Sequence, residues 1–345
     1  MGPSANFASG SERPPQAKGL PHIMIRSATV RSLAKINLDL RVLHKRSDGY
    51  HELRTVFQTI SLADSIEIEY EAARRTKLKL DDPLEIPNNL VLRAAEAVLA
   101  EIRTHAHVRF RLTKKIPLGG GLGGGSSNAA AVLLALPVLA GKRLELEALL
   151  DLGARLGSDV PFFLMGGTAL GIGRGTELFE LPELRPQPVL LVCPGVHLST
   201  AEAYGALGRG LTVTESSSKI NSFRAYVRLL GEVRSASAAS SLSVNDFEAA
   251  VFEQQPSLRV LPGRLKKLGA EGAAMTGSGS AVFGLFDSRL ERYRAAEVLR
   301  RDGQAIVSAE LVSRRGYRAL WRRQLQEHLK SQGTEWPPHS RYVRI

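Results

Sequence analysis

Residues 117–128 read Pro117-Leu118-Gly119-Gly120-Gly121-Leu122-Gly123-Gly124-Gly125-Ser126-Ser127-Asn128. Six glycines fall within seven positions, after an alternating stretch (Val108, Phe110, Leu112) and before an apolar run over 129–140. Glycine accepts positive φ and lets a ligand approach backbone with no Cβ in the way. A helix starting at Ser126 presents unpaired N–H groups and the positive end of its dipole, and Ser126 and Ser127 add hydroxyl donors. A P-loop is excluded, because no Gly-Lys-Ser/Thr follows the glycines. A dinucleotide fingerprint is formally present as Gly119-x-Gly121-x-x-Gly124, but the strand before it opens no clear βαβ unit. The residues point to an anion, a nucleotide phosphate, held by the backbone of 117–127. A second loop, Met275-Thr276-Gly277-Ser278-Gly279-Ser280, precedes a strand at 281–286. Taken alone it is either a tight turn or a second backbone surface closing on phosphates or substrate.

Around these loops the periodicity is mixed. Residues 27–45 alternate as one or two strands, 47–49 (Ser-Asp-Gly) signal a turn, and 56–70 alternate again. Residues 89–102 have the helical period behind an Asn cap. Further helices are expected at 144–156, from 246, at 258–268 with an interruption at Pro262, and at 289–301. Further strands are expected at 189–192 and 306–312. Strands and helices intermix without a βαβ rhythm, which favours α+β over a doubly wound sheet. The 345 residues suggest two domains or one with two lobes, and 43% hydrophobic residues supply a core.

The single cysteine, Cys193, excludes a disulfide framework and a cysteine-based zinc site. His105 and His107 have no third ligand nearby, so no metal-ligand set is expected. The formal charge of +12 invites a nucleic-acid reading. Residues 289–345, however, hold 13 Lys/Arg against 6 Asp/Glu, so most of the excess reads as a basic tail. A phosphate-bearing substrate also suits a positive protein, through steering. No apolar run approaches the ~20 residues of a membrane span. Residues 1–26 lack an apolar signal core and read as a disordered leader, and 326–345 read as a tail, so a cytoplasmic location is expected.

Three segments in order resemble the GHMP kinase superfamily (galactokinase, homoserine kinase, mevalonate kinase and relatives). They are Ala34-Lys35-Ile36-Asn37-Leu38 with Asp48-Gly49-Tyr50-His51-Glu52-Leu53, the 117–131 loop, and 275–280. Gly157-Ser158-Asp159-Val160-Pro161-Phe162-Phe163, Cys193-Pro194-Gly195-Val196 and Asn245-Asp246-Phe247-Glu248 also fit. The resemblance implies a two-lobed fold: an ATP-binding N-terminal lobe (27–185) like ribosomal protein S5 domain 2, and a ferredoxin-like C-terminal lobe (186–325). It implies transfer of the γ-phosphoryl group of ATP, with Mg²⁺, to a hydroxyl of a cytidine-diphosphate sugar alcohol in the cleft between the lobes.

The implied catalytic residues are Asp159, as general base, and Lys35 beside it. By residue type alone Asp159 also fits a helix N-cap, and Lys35 a solvent-facing strand residue. Asn37 shares a strand face with Lys35 and resembles a substrate-contacting asparagine. Tyr50 and His51 correspond to an aromatic that stacks on cytosine and a histidine that hydrogen-bonds its edge. Tyr204 corresponds to the aromatic on the other face of the base, with Thr200, Gly277 and Ser278 as further substrate contacts. Asn128 stands where the superfamily usually has Asp, and is expected to act as a helix-start cap.

Two alternatives remain at this level. A homoserine- or mevalonate-type kinase would leave Tyr50, His51 and Tyr204 with no base to stack. A basic nucleic-acid-binding protein would leave Lys35, Asp159 and the glycine loop without a purpose. The expected partner is therefore a small molecule, with no nucleic acid and no membrane, for a monomer or homodimer.

Overall fold

The computed structural model describes residues 25–196, 200–207 and 213–329. Residues 1–24 and 330–345, most of the expected leader and tail, lie outside the described residues.

Two long antiparallel strands, β1 (Arg26–Lys45) and β2 (His51–Ala72), form the spine. They pair from Arg26↔Tyr70 to Lys45↔His51, with register shifts at Leu33/Lys35 and Asn37/Asp39. Strand β3 (Lys77–Asp81), helix α1 (Leu90–Glu101) and strand β4 (Ala106–Thr113) follow. The Asn89 side chain caps α1 as expected, accepting from the Val91 N–H at 3.0 Å. After the glycine loop come α2 (Gly124–Leu139), α3 (Leu146–Leu156), α4 (Val160–Met165), β5 (Thr168–Gly173) and β6 (Glu177–Glu180). The first sheet runs β3-β4-β2-β5-β6, with β1 also on β2. From Ser127 onward every residue of α2 is buried, which explains its uniformly apolar sequence. It is wrapped by the sheet and its neighbouring helices, with Val30, Phe110, Leu133 and Phe162 in one core.

The second sheet is antiparallel, in the order β10-β7-β9-β8. Its strands are β7 (Pro188–Val192), β8 (Gly272–Met275), β9 (Val282–Leu285) and β10 (Ile306–Glu310). The intervening helices are α5 (Thr200–Ala206), α6 (Val213–Val233), α7 (Ala236–Ala239), α8 (Phe247–Gln254), α9 (Pro256–Lys267) and α10 (Arg289–Arg301). Alternate residues of β7 enter two cores. Val189 and Leu191 pack with Phe223 and Tyr226 of α6 and with Ile36 and Ile60 of the spine. Leu190 and Val192 pack with α8, α9 and α10 and with Leu40 and Val42 of β1. The spine therefore belongs to both lobes, and the cleft opens along it. The architecture is the α+β, two-lobed one expected.

Three details depart from the sequence expectations. Pro262 does not interrupt α9, because Leu258, Leu261 and Leu265 are anchored in the core and outweigh one lost N–H. The 21-residue α6 was not foreseen. The basic C-terminal stretch contains a helix, α11 (Arg314–Leu329), that inserts Tyr317, Trp321 and Leu325 into the first lobe's core. Residues 314–325 thus pack on the lobe opposite to the one expected from their chain position.

Candidate active site

The two glycine loops clasp each other. The Ser280 and Ala281 N–H groups donate to the Gly119 and Gly120 carbonyls, both at 3.3 Å. Gly121 has φ +72°, and a Cβ there would stand 2.2 Å from the Thr276 carbonyl oxygen. Gly277, at φ +59°, faces the Gly121 backbone less tightly, a Cβ there standing 3.0 Å from Gly121 O. The second loop is therefore more than a tight turn, since it completes the wall of the first. Asn245 holds it from behind, its side-chain N–H group donating to Met275 O at 2.8 Å and Gly277 O at 3.0 Å.

The first loop is tied to β1. Lys35 N–H donates to Leu122 O at 3.0 Å, and Ser127 Oγ donates to Leu33 O at 2.6 Å. Gly123, not a side chain, occupies the N-cap of α2. Asn128 is accordingly no cap: its Oδ1 accepts from Ser32 Oγ at 2.6 Å in the buried interior, pinning α2 to β1. Ser126 is only partly covered, at the cleft end of α2.

Lys35 does not face solvent. Its side chain is 4% exposed, and its Nζ lies 3.3 Å from Asp159 Oδ2 and 2.6 Å from Asn37 Oδ1. The alternation of β1 that put Lys35 and Asn37 on one face is thus what brings them together. Asn37 in turn donates to Thr55 Oγ1 at 2.8 Å, and its own N–H donates to Thr276 Oγ1 at 3.0 Å. Asn37, the hydrogen-bond partner of the ammonium, is thus fixed from β2 and from the second loop. Asp159 does occupy the N-cap position of α4, yet its side chain makes no capping bond there and turns to Lys35 instead. A carboxylate 31% exposed beside a buried ammonium is placed to meet a ligand. Behind α4, Tyr317 of α11 donates its hydroxyl to Phe163 O, and its ring lies against Gly166. The unforeseen helix therefore braces the element that carries Asp159.

Lys35, Asn37, Asp159, Gly121, Gly277 and Ser278 line one cleft of about 230 Å³. Tyr204, Phe247, Leu53 and Arg174 line it too. At this end His51 stacks on Tyr204, with centroids 4.7 Å apart and planes 15° apart, and Tyr204 meets Phe247 edge-on. Burial, and secondarily the Asp159 charge, push the Tyr204 hydroxyl well above its ordinary range. Burial and the Lys45 charge hold the His51 imidazole below 6.5. Tyr50 is 51% exposed on the rim, and the Arg174 guanidinium sits 4.2 Å from its ring centre. The backbone of Thr200 begins α5, but its side chain lies outside what the structure describes. Arg174 was missed by the sequence reading; its only local signal is its place between two glycines, Gly173 and Gly175.

A backbone anion cradle, a lysine–aspartate pair and an aromatic end in one cleft define a small-molecule phosphotransferase of the GHMP type. The family models agree: residues 89–167 match the GHMP kinases N terminal domain and residues 224–305 the GHMP kinases C terminal domain. The 4-diphosphocytidyl-2-C-methyl-D-erythritol kinase of Solibacter usitatus (strain Ellin6076) is 53% identical over 321 residues, 92% of this chain and 98% of that one. That of Pelotomaculum thermopropionicum is 40% identical over 284 residues, 81% of this chain and 96% of that one. A crystal structure of 4-(cytidine 5'-diphospho)-2C-methyl-D-erythritol kinase superposes with a TM-score of 0.67 at 36% identity, covering 84% of this chain and 99% of that one. Homoserine kinase from Cytophaga hutchinsonii shares the fold, with a TM-score of 0.64 at 19% identity over 83% of this chain and 95% of that one. The chain belongs to the family of 4-diphosphocytidyl-2-C-methyl-D-erythritol kinases, ATP-dependent enzymes within the GHMP kinases. Among the described residues, no helix is long and apolar enough to cross a membrane.

Proposed function

We propose that the chain transfers the γ-phosphoryl group of ATP to the 2-hydroxyl of 4-diphosphocytidyl-2-C-methyl-D-erythritol, giving the 2-phosphate and ADP. The observation that carries this reading is the Lys35–Asp159 pair, set in the same cleft as the clasped glycine loops. The hydroxyl oxygen attacks the γ-phosphorus, its proton passes to the Asp159 carboxylate, and the bond to the β,γ-bridging oxygen breaks. Lys35 orients the carboxylate and hydroxyl, and Asn37 fixes the ammonium. Positioning and charge matter more than base strength in a loose phosphoryl-transfer transition state. The 117–127 backbone and the Ser126 hydroxyl at the start of α2 cradle the nucleotide phosphates, whereas the Ser127 hydroxyl, expected as a second donor, is buried on Leu33 O. In this reading residues 27–185, with α11 packed on them, bind ATP, and the remainder of 186–325 closes over the acceptor. Tyr50, His51, Thr200 and Tyr204 receive the cytosine end, and Gly277 and Ser278 the reacting end.

Among the described residues no cluster of three His, Cys, Asp or Glu exists. Asp159 and the Ser126 hydroxyl, both partly exposed in the cleft, would hold an Mg²⁺ ion brought in on the nucleotide phosphates. When bound, the ion draws charge off the phosphoryl oxygens. The proposed setting is the cytoplasm, for a monomer or homodimer.

The test is ATP consumption by the purified chain with Mg²⁺ and, separately, 4-diphosphocytidyl-2-C-methyl-D-erythritol, homoserine or mevalonate. Turnover with the cytidyl acceptor alone is expected. Turnover with another alcohol instead would discard the acceptor assignment.

A further inference from the structure

Arg174 occupies the turn between β5 and β6. The turn is fixed by Gly173 at φ +66° and Gly175 at φ +88°, and by the Gly175 N–H donating to Ile172 O at 2.9 Å. The positive φ at both glycines is what keeps other residues out of this turn. From it the half-buried Arg174 side chain enters the cleft that Lys35 and Asp159 line. Its guanidinium carbon sits 4.2 Å from the centre of the Tyr50 ring, and its charge acts on the Asp48 carboxylate on the rim. No hydrogen bond or ion pair of Arg174 exists among the described residues. The other cation lining the cleft, Lys35, is committed to Asp159 and Asn37. Arg174 is thus the cleft's uncommitted cation, with free N–H groups.

The sheet register locates it along the cleft. Gly173 pairs with Leu53, and Leu53 with Val42, whereas Lys35 pairs with Thr59. Seven residues of β1 separate the two ends, on the order of 20 Å of strand. Arg174 therefore enters from the aromatic end, near Tyr50, and reaches toward the lysine–aspartate end. It does not approach from the glycine loops, which meet β1 at Leu33 and Lys35. An acceptor with its base at the aromatic end and its hydroxyl at Asp159 has its two phosphates between them.

We infer that Arg174 binds the diphosphate of the acceptor and sets the cleft's preference for a nucleoside diphosphate over a neutral alcohol, an inference that rests on the function proposed above. A planar guanidinium suits this task, since it presents parallel N–H donors to a phosphate and can stack on Tyr50 at the same time. Tyr50 then acts partly by holding Arg174 in place.

Arg174→Gln and Arg174→Lys test it, with steady-state kinetics for both substrates and calorimetric binding of CDP and of cytidine to the full chain. Arg174→Gln is expected to raise the KM for the acceptor about ten- to hundredfold. The KM for ATP stays within twofold, and Arg174→Lys falls between. Wild type binds CDP at least tenfold tighter than cytidine, and Arg174→Gln abolishes that difference. A rise in the KM for ATP instead, or a CDP preference that survives the substitution, overturns the inference. A wild-type chain that fails to turn over the cytidyl acceptor overturns the previous section's reading instead, while the CDP comparison still decides the role of Arg174.

Discussion

Gly121→Ala puts the loop clasp under the most direct strain. Its φ of +72° disfavours an L side chain by about 1–2 kcal/mol. The added Cβ would lie 2.2 Å from Thr276 O and 3.2 Å from Gly279 O, and both are backbone atoms that cannot rotate aside. One loop must retreat by about 1 Å to restore ordinary contact. The bonds from Ser280 and Ala281 to Gly119 and Gly120 then stretch beyond use, at about 0.5–1.5 kcal/mol each. The sum is a loss of about 2–5 kcal/mol, with a raised KM for ATP because the phosphate cradle opens. The control is Gly125→Ala, two positions into α2, where the nearest atom to a Cβ is Leu90 Cδ1 at 3.7 Å. There the change should be neutral or stabilising by up to about 1 kcal/mol. Urea unfolding of both variants, with the KM for ATP measured alongside, decides the matter. Equal stability losses, or a Gly121→Ala protein within about 1 kcal/mol of wild type, would refute the clasp as the reason for glycine at 121.

Two further outcomes follow from named groups. Asp39 is fully buried against Arg41, and desolvation, opposed by its bonds to Arg41 and Val244, pushes its carboxyl up to about 6. Its folded value lies above the ordinary 3.8, so the folded state binds the extra proton and Asp39 lowers stability as pH rises from 4 to 6. The loss is about 3 kcal/mol. A carbon-detected titration of Asp39 should show a midpoint near 6, and a midpoint in the ordinary carboxylate range contradicts it. Tyr204→Phe should keep the stack on His51 and the acceptor KM, whereas Tyr204→Ala should raise that KM about ten- to hundredfold, the worth of one base stack. An unchanged KM in Tyr204→Ala would remove the aromatic end from acceptor binding.

The lobes' core strands and the two glycine loops were legible because they rest on local rules. Alternation in β1 put Lys35 and Asn37 on one face, and only glycine suits the φ values at 121 and 277. The pairing of Asp159 with Lys35 was not legible from spacing, since it joins residues 124 apart in sequence; only the family resemblance suggested it. Helix α11 carried a signal, Tyr317, Trp321 and Leu325 at intervals of four, but its many arginines made the stretch read as a solvated tail. Strands β5 and β6 were missed because both are short, β5 carrying two glycines and β6 only four residues, and Arg174 in the turn between them went with them. Asn128 looked like a cap until the fold supplied its partner, Ser32, 96 residues away.

The central claim is that Asp159 takes the acceptor's proton. Pre-steady-state and steady-state kinetics of Asp159→Asn, with MgATP and the cytidyl acceptor, test it most directly. The account predicts that kcat falls about 10²–10⁴-fold while the KM for each substrate changes little, in a protein that unfolds like wild type. A kcat within tenfold of wild type would contradict it and leave Asp159 as a partner of Lys35 alone.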